Sequence, residues 1–237
     1  MYIPKPNEET RVDTLHAVMR AAPFVTLVTP GKSGPEVNHL PLVLHADEGP
    51  HGTLRGHVAR ANPVWRDLLE MSQAGENAAQ GSPTQESRAG IGKAAAGVEA
   101  CIAVFNGGDH YISPSWYPSK RQDPRTVPTW NYVVVHAHGT ITVQDDGEWL
   151  RAHLEVLTDR HEGGRADRWR VSDAPEEFLG KLRGAIVGIE FAITRLEGKV
   201  KASQNRTAED RAGVIQGLLA EGTEAAASMA RWVPAGE

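Results

Sequence analysis

Four short stretches of this 237-residue chain carry side chains that could bind an anion or hold a flat polar ring. The first is Arg55-Gly56-His57-Val58-Ala59-Arg60-Ala61-Asn62-Pro63. On a strand, Arg55 and His57 share one face. Arg60 and Asn62 then sit at the strand end, where Asn62-Pro63 reads as the cap and first turn of a helix. Guanidinium groups fork onto phosphate oxygens, and helix N-termini present free N–H groups, so this is a candidate phosphate cradle. The plainer alternative is a surface strand with two solvated arginines. The second stretch, His110-Tyr111-Ile112-Ser113-Pro114-Ser115-Trp116-Tyr117-Pro118, sets aromatic rings beside small hydroxyls on a proline-stiffened segment. That combination suits a flat heteroaromatic ligand, or else aromatic filling at a tight turn. The third, Val127-Pro128-Thr129-Trp130-Asn131-Tyr132, repeats the same chemistry. The fourth, Lys199-Val200-Lys201-Ala202-Ser203-Gln204-Asn205-Arg206, is basic and amide-rich, and otherwise reads as a solvated loop that caps the next helix.

Other chemistries find less support. His136 and His138 are two apart and would share a strand face, but no third metal ligand of matching spacing is evident. His39 precedes Leu40-Pro41, and a proline bulge there could aim it into a site. Cys101 is the single cysteine; it opens the apolar run CIAVF and reads as a buried thiol. No GxSxG elbow, HExxH, phosphate-binding Walker loop or dinucleotide GxGxxG is present, so hydrolase, NTPase and Rossmann readings have no footing.

These stretches must be held by surrounding elements. Apolar spacing predicts a helix over 10–22, capped by Thr10 or Asn7 and stopped by Pro23. Strands are predicted at 24–29, at 36–45 (with Pro41 marking an edge or bulge) and at 53–58, followed by a helix from Asn62-Pro63 to Met71. Residues 72–98, rich in Ala, Gly, Ser and Gln, read as an inserted loop or weak helix. Further strands are expected at 100–106, near 110–113, over 127–145 as one or two strands, and at 185–197. Helices are expected at 148–160, at 175–183 with Asp173 as cap, and over 207–231. Thr207 with Asp210 three residues on has capping-box geometry. The pattern is a β-barrel with packed helices, an α+β fold: one domain over 1–219 with the insertion at 72–98, then a helical tail over 220–237.

The net charge of -5 offers no global attraction for nucleic acid, so direct nucleic-acid binding is not expected. No stretch approaches a membrane span, and the first residues lack the apolar core of a signal peptide. With a lone cysteine, this points to the cytoplasm.

The stretches MYIPKP, NHLPLVL, LRGHVARANP, HYISPSWY, VPTWNYVVVHAHG and RLEGKVKASQNRTAED occur in that order. Together they resemble the PaiB family of FMN-binding split-barrel proteins, over nearly the whole chain. The resemblance implies a split barrel akin to pyridoxamine-phosphate-oxidase-like flavoproteins, a homodimer, and flavin sites between subunits. It implies a role as a negative regulator of protease production and sporulation, or as a flavin-dependent redox protein, an oxidoreductase or a sensor. Relatives of this barrel also bind haem, so a haem-binding or haem-degrading protein is the alternative. By position, Arg55, His57, Arg60 and Asn62 are expected at the flavin phosphate or ribityl chain, with His39 along the neighbouring strand. Ser113, Ser115, Trp116 and Tyr117, and Pro128, Thr129, Trp130 and Asn131, are expected to shape the ring pocket. Lys201, Gln204, Asn205 and Arg206 match the terminal basic stretch. Two departures from the family pattern, the small residues at Val200 and Ala202 and the Gly-rich run Asn106–Asp109, could widen the pocket.

Overall fold

The computed structural model describes residues 1–80 and 98–236. Eight strands form one antiparallel sheet: β1 (Glu8–Glu9), β2 (Phe24–Gly31), β3 (Gly34–Pro41), β4 (Val43–His45), β5 (Thr53–Ala59), β6 (Val98–Ile112), β7 (Thr129–Gln144) and β8 (Ile186–Lys201). Their order is β3-β2-β6-β7-β8-β5-β4, with β1 added on β8. Six helices accompany them: α1 (Val12–Ala21), α2 (Val64–Gln80), α3 (Gly147–Glu162), α4 (Glu176–Gly184), α5 (Ala208–Ala220) and α6 (Glu224–Ala230).

The long strands follow from period-two burial. Along β7, Asn131, Val133, Val135, Ala137, Gly139 and Ile141 are buried, and the residues between them are half-buried. β6 runs unbroken where two short strands were expected. Gly107 lies within it, and a Cβ there would press on Val18 and Val133. Gly107 therefore answers a close approach of β6 to α1 and β7, whereas Gly108 stands in open space with a φ of 109° that suits glycine. β8 continues four residues past the predicted end and carries Lys199 and Lys201 in the ladder. Pro41 ends β3, which stands at one end of the strand order, where a missing N–H is tolerated.

The helix ends refine three expectations. Asn62 caps α2 as expected, its Oδ1 accepting the Val64 N–H at 3.0 Å. α2 runs to Gln80, nine residues into the predicted insertion; the rest of that insertion lies outside the described residues, apart from Val98 at the start of β6. Neither Thr10 nor Asn7 caps α1: Arg11 stands at the cap without a side-chain cap bond, and its N–H donates to the Glu9 carboxylate at 2.8 Å. Asp173 does not cap α4 either: it accepts the Arg170 N–H, and Pro175 stands at the cap. Thr207 caps α5 through the Asp210 N–H. The predicted tail helix divides at Gly222, whose φ of 68° suits glycine.

The chain falls into two compact units. One comprises Met1–Ala22, Val104–Ala137 and Leu196–Glu237; its buried set includes Leu15, Met19, Phe105, Val133, Val214 and Met229. The other comprises Pro23–Ala103 and His138–Arg195, and buries Leu27, Leu54, Leu68, Ile141, Ile189 and Phe191. Cys101 is fully buried in this second unit, and burial pushes its thiol up to about 12, so it is an inert core residue. Among the described residues, no helix is long and apolar enough to cross a membrane.

Candidate functional site

The first unit gathers three of the four polar stretches around one cavity. The segment after β6 is shaped by prolines and a short cap: the Ser113 hydroxyl accepts the Ser115 N–H at 3.2 Å and starts a 3-10 turn over Pro114–Trp116. Trp116 is seated against α5, where Gly217 has no side chain and a Cβ would overlap the indole. A second turn, Pro118–Arg121, is tied to α5 by Asp210. The buried Asp210 carboxylate accepts the Ser119 N–H at 3.1 Å and its hydroxyl at 2.8 Å. These contacts hold Tyr117 between the turns, 2% exposed.

The start of β7 and the end of β8 supply the opposite wall. Asn131 is 1% exposed and donates to the Ser203 hydroxyl at 3.0 Å. Ser203 has a φ of 59°, uncommon for a residue with a side chain. That left-handed residue turns the chain sharply after β8, and its carbonyl accepts the Arg206 N–H at 2.9 Å. Lys201 donates to the Thr129 hydroxyl at 2.5 Å and to the Trp130 carbonyl at 2.7 Å. The N-terminal segment adds Pro4, Pro6 and Asn7 to the lining. The resulting cavity, partly open to solvent, is about 290 Å³, near the lower bound for small-molecule sites.

Its charge is one-sided. Lys201 and Arg206 line it, and no carboxylate does. Neither cation has a carboxylate partner among the described residues. Lys201 has three N–H donors and spends two of them on Thr129 and Trp130, which leaves one. The Arg206 guanidinium lies over the Tyr117 ring, 4.5 Å from its centroid. Burial raises the Tyr117 pKa, and Arg206 opposes that rise through its charge and as a hydrogen-bond donor. The buried Tyr117 hydroxyl has no partner within strict hydrogen-bond geometry, although Arg206 lies close enough to act on it as a donor. Two cations, a hydroxyl, amides and an unpartnered phenol make a donor-rich site for an oxyanion.

The 55–62 stretch belongs to the other unit, and its side chains have internal partners. Arg55 donates to Glu190 at 2.8 Å and to Glu48 at 2.7 Å. Arg60 forks onto Asp145 and also donates to the Gly184 and Ile186 carbonyls. Asn62 caps α2 and donates to Asn38 at 2.7 Å. The His57 Nδ1 meets the His153 Nε2 at 3.2 Å, beneath Trp149, whose ring is stacked on His153. Burial, and then the neighbouring His57, His45 and Arg55, hold His153 down to about 4. His39 is exposed beside Thr26 and Phe24. The cradle expected here therefore has its forks filled by carboxylates and carbonyls.

Within the first unit, Thr129, Asn131, Lys201, Asn205 and Arg206 reach the cavity. Ser113, Ser115 and Trp116 shape the segment that delivers Tyr117, and do not line the cavity. Trp130 is 53% exposed and packs edge-on against Tyr111. Gln204 lies behind the wall, donating to the Pro6 carbonyl at 3.1 Å and the Val200 carbonyl at 2.5 Å. The small residue at 202 is fully buried and widens nothing at the cavity. Pro4, Pro6, Asn7 and Asp210 were absent from the expected site. MYIPKP was visible as a motif, but nothing local in it signals a pocket wall.

Residues 1–195 match the family described as "Putative FMN-binding domain". An uncharacterised protein of Aspergillus fumigatus is 34% identical, over 98% of this chain and 96% of its own. The protease synthase and sporulation protein PAI 2 of Bacillus subtilis is 29% identical, over 97% and 95%. Both alignments extend over nearly all of the chain, whereas the family match stops at Arg195, before Lys201 and Arg206. Among solved structures, the FAD and haem binding protein of Mycobacterium smegmatis superposes with a TM-score of 0.55 at 17% identity, covering 87% of this chain and 79% of that one. The fold is thus the split barrel expected from the motifs.

Proposed function

We propose, for a chain that belongs to the FMN-binding domain family, that the cavity of the first unit takes the phosphate end of FMN. One observation carries this reading: Lys201 and Arg206 line one cavity without a carboxylate in its lining. A phosphate monoester supplies the missing negative charge and accepts from several donors at once. The residues present fit that group. Lys201 has a spare N–H, Arg206 offers its guanidinium, and the Tyr117 hydroxyl lacks a partner. Thr129 and Asn131 position these donors through Lys201 and Ser203. The lining holds no histidine or cysteine to serve as an axial ligand, so the haem alternative draws no support from this cavity.

The cavity, about 290 Å³ and open to solvent, would hold the phosphate end, and the ring of FMN would extend out through that opening. Val127 in the lining is exposed, and the exposed Trp130 and Tyr111 rings meet edge-on in the same unit, so apolar and aromatic surface is available to a ring. Such a face suits a ring sandwiched against a second copy of the chain, and a homodimer follows from this reading. Bound FMN supplies reversible acceptance of electrons or hydride. The chain's own part is to bind the phosphate, orient the nucleotide and keep the ring partly dry. A redox enzyme and a flavin-based sensor both fit, in a cytoplasmic setting. The Bacillus relative is named for protease synthase and sporulation, and a negative regulatory role, as the family resemblance implies, belongs to this reading. With a net charge of -5, regulation through the flavin or a protein partner suits the chain better than direct DNA contact.

The test is titration of the purified full-length protein with FMN, followed by flavin fluorescence and absorbance. Saturable, stoichiometric binding is expected. A response that never saturates would remove the reading.

A further inference from the structure

β7 and β8 are neighbouring strands of the sheet, and together they gather three metal-ligating side chains. On β7 the buried positions Val135, Ala137 and Gly139 face the core, so the period of two sends His136 and His138 to the other face, side by side. Both are half-buried, and so is Glu197 on β8. One donor atom from each of His136, His138 and Glu197 lies within 4.8 Å of the other two. Spacing along β7 supplies only the histidines; the third ligand comes from a separate strand, where no sequence interval registers it.

The backbone beside the cluster is closely set. The Thr194 hydroxyl donates to the His138 carbonyl at 3.2 Å. Gly139 permits the strands to approach there, since a Cβ would overlap the Ala192 carbonyl. The Glu197 carboxylate is anchored as well: its Oε2 accepts from the Met1 amine at 3.0 Å, and both groups are largely shielded from solvent. A carboxylate has two oxygens with about four lone-pair sites, so it can accept an amine and a cation together. Imidazole nitrogens suit zinc and the other divalent first-row ions, whereas Mg²⁺ and Ca²⁺ prefer all-oxygen sets. Ligand atoms on a tetrahedral zinc, bound at about 2.0–2.1 Å, stand roughly 3.3 Å apart. Side-chain rotation covers the contraction from 4.8 Å.

We propose that His136, His138 and Glu197 bind one Zn²⁺ ion per chain and so clip β7 to β8. Two imidazoles and a carboxylate make three protein ligands, which leaves a fourth position to water, as in open rather than closed zinc sites. None of the three residues lines the phosphate cavity, so this site stands apart from the flavin reading.

The test uses full-length protein stripped of metal with a chelator, then titrated with Zn²⁺ by calorimetry, with Mg²⁺ as the hard-ion control. One saturating equivalent per chain is expected for Zn²⁺ and none for Mg²⁺. His136→Gln, His138→Gln and Glu197→Gln should each weaken Zn²⁺ binding by at least about tenfold, the lower loss seen when even an outer partner of a metal ligand is removed. His161→Gln changes an exposed histidine on α3 and should keep the wild-type affinity. Zn²⁺ should also raise the melting temperature of the wild type, because an ion that binds the folded chain stabilises it by mass action, and should not raise that of the three ligand variants. Glu197→Gln also removes the ion pair with Met1. If it melts lower without metal, the two histidine variants decide. No saturable Zn²⁺ binding, equal binding of Mg²⁺, an unchanged Zn²⁺ affinity in a deciding variant, or an equal loss in His161→Gln overturns the proposal.

Discussion

Arg206 rests on Tyr117, its guanidinium carbon 4.5 Å above the ring, and the phenol hydroxyl beside it is buried with no hydrogen-bond partner. The cation is held by a neutral ring rather than a carboxylate, so its charge is left for a ligand. Replacing it by an uncharged residue of similar length should show this. Arg206→Met is expected to weaken FMN by about 1.5–3 kcal/mol, the range for a hydrogen bond to a charged group. Riboflavin, which lacks the phosphate, should lose much less. Fluorescence titrations of both ligands check the difference.

Tyr117→Phe removes only the hydroxyl. A buried polar atom without a partner contributes nothing to the empty protein's stability, so the melting temperature should hold or rise. FMN affinity should fall by about 0.5–1.5 kcal/mol, as for one lost neutral hydrogen bond. A variant that melts lower and binds FMN normally would show that the hydroxyl serves the fold instead.

Arg55 and Arg60 should behave in the opposite way. Arg55 bridges Glu48 and Glu190 at the part-buried surface of its unit. Arg55→Met is expected to cost roughly 1–2 kcal/mol of stability after solvent screening. FMN affinity of the folded protein should stay the same. Chemical denaturation paired with FMN titration separates the two effects.

The His57–His153 pair makes stability depend on pH. His153 falls from 6.5 to about 4 because burial penalises its charged form. The unfolded chain therefore takes up this proton before the folded one does. Stability from this site is full above about pH 6.5 and declines as pH falls toward 4, by up to about 3 kcal/mol. His153→Phe should flatten that part of the stability profile, measured by denaturant melts between pH 7 and pH 4.

Much of the architecture was legible because it depends on local signals. The alternation in 129–144, the Asn62-Pro63 start of α2 and the Thr207 cap each reside in a few neighbouring residues. Family motifs then supplied the barrel. Partner assignment was not legible. Arg55 reads as a free fork in sequence, and only the pairing of β5 with β8 brings Glu190 opposite it. Arg60 likewise finds Asp145 from 85 residues away. Conversely, Tyr117 becomes part of the cavity wall because Asp210 and Gly217 on α5 hold its flanking turns. Such tertiary contacts have no fixed spacing, so composition and periodicity do not register them.

The most direct test of the account is the ratio of FMN to riboflavin affinity in the full-length protein and in Lys201→Met. The phosphate site predicts a strong wild-type preference for FMN, reduced by about tenfold or more in the variant, with riboflavin binding little changed. A wild type that binds riboflavin as tightly as FMN, or a Lys201→Met protein that keeps the full preference, would contradict it.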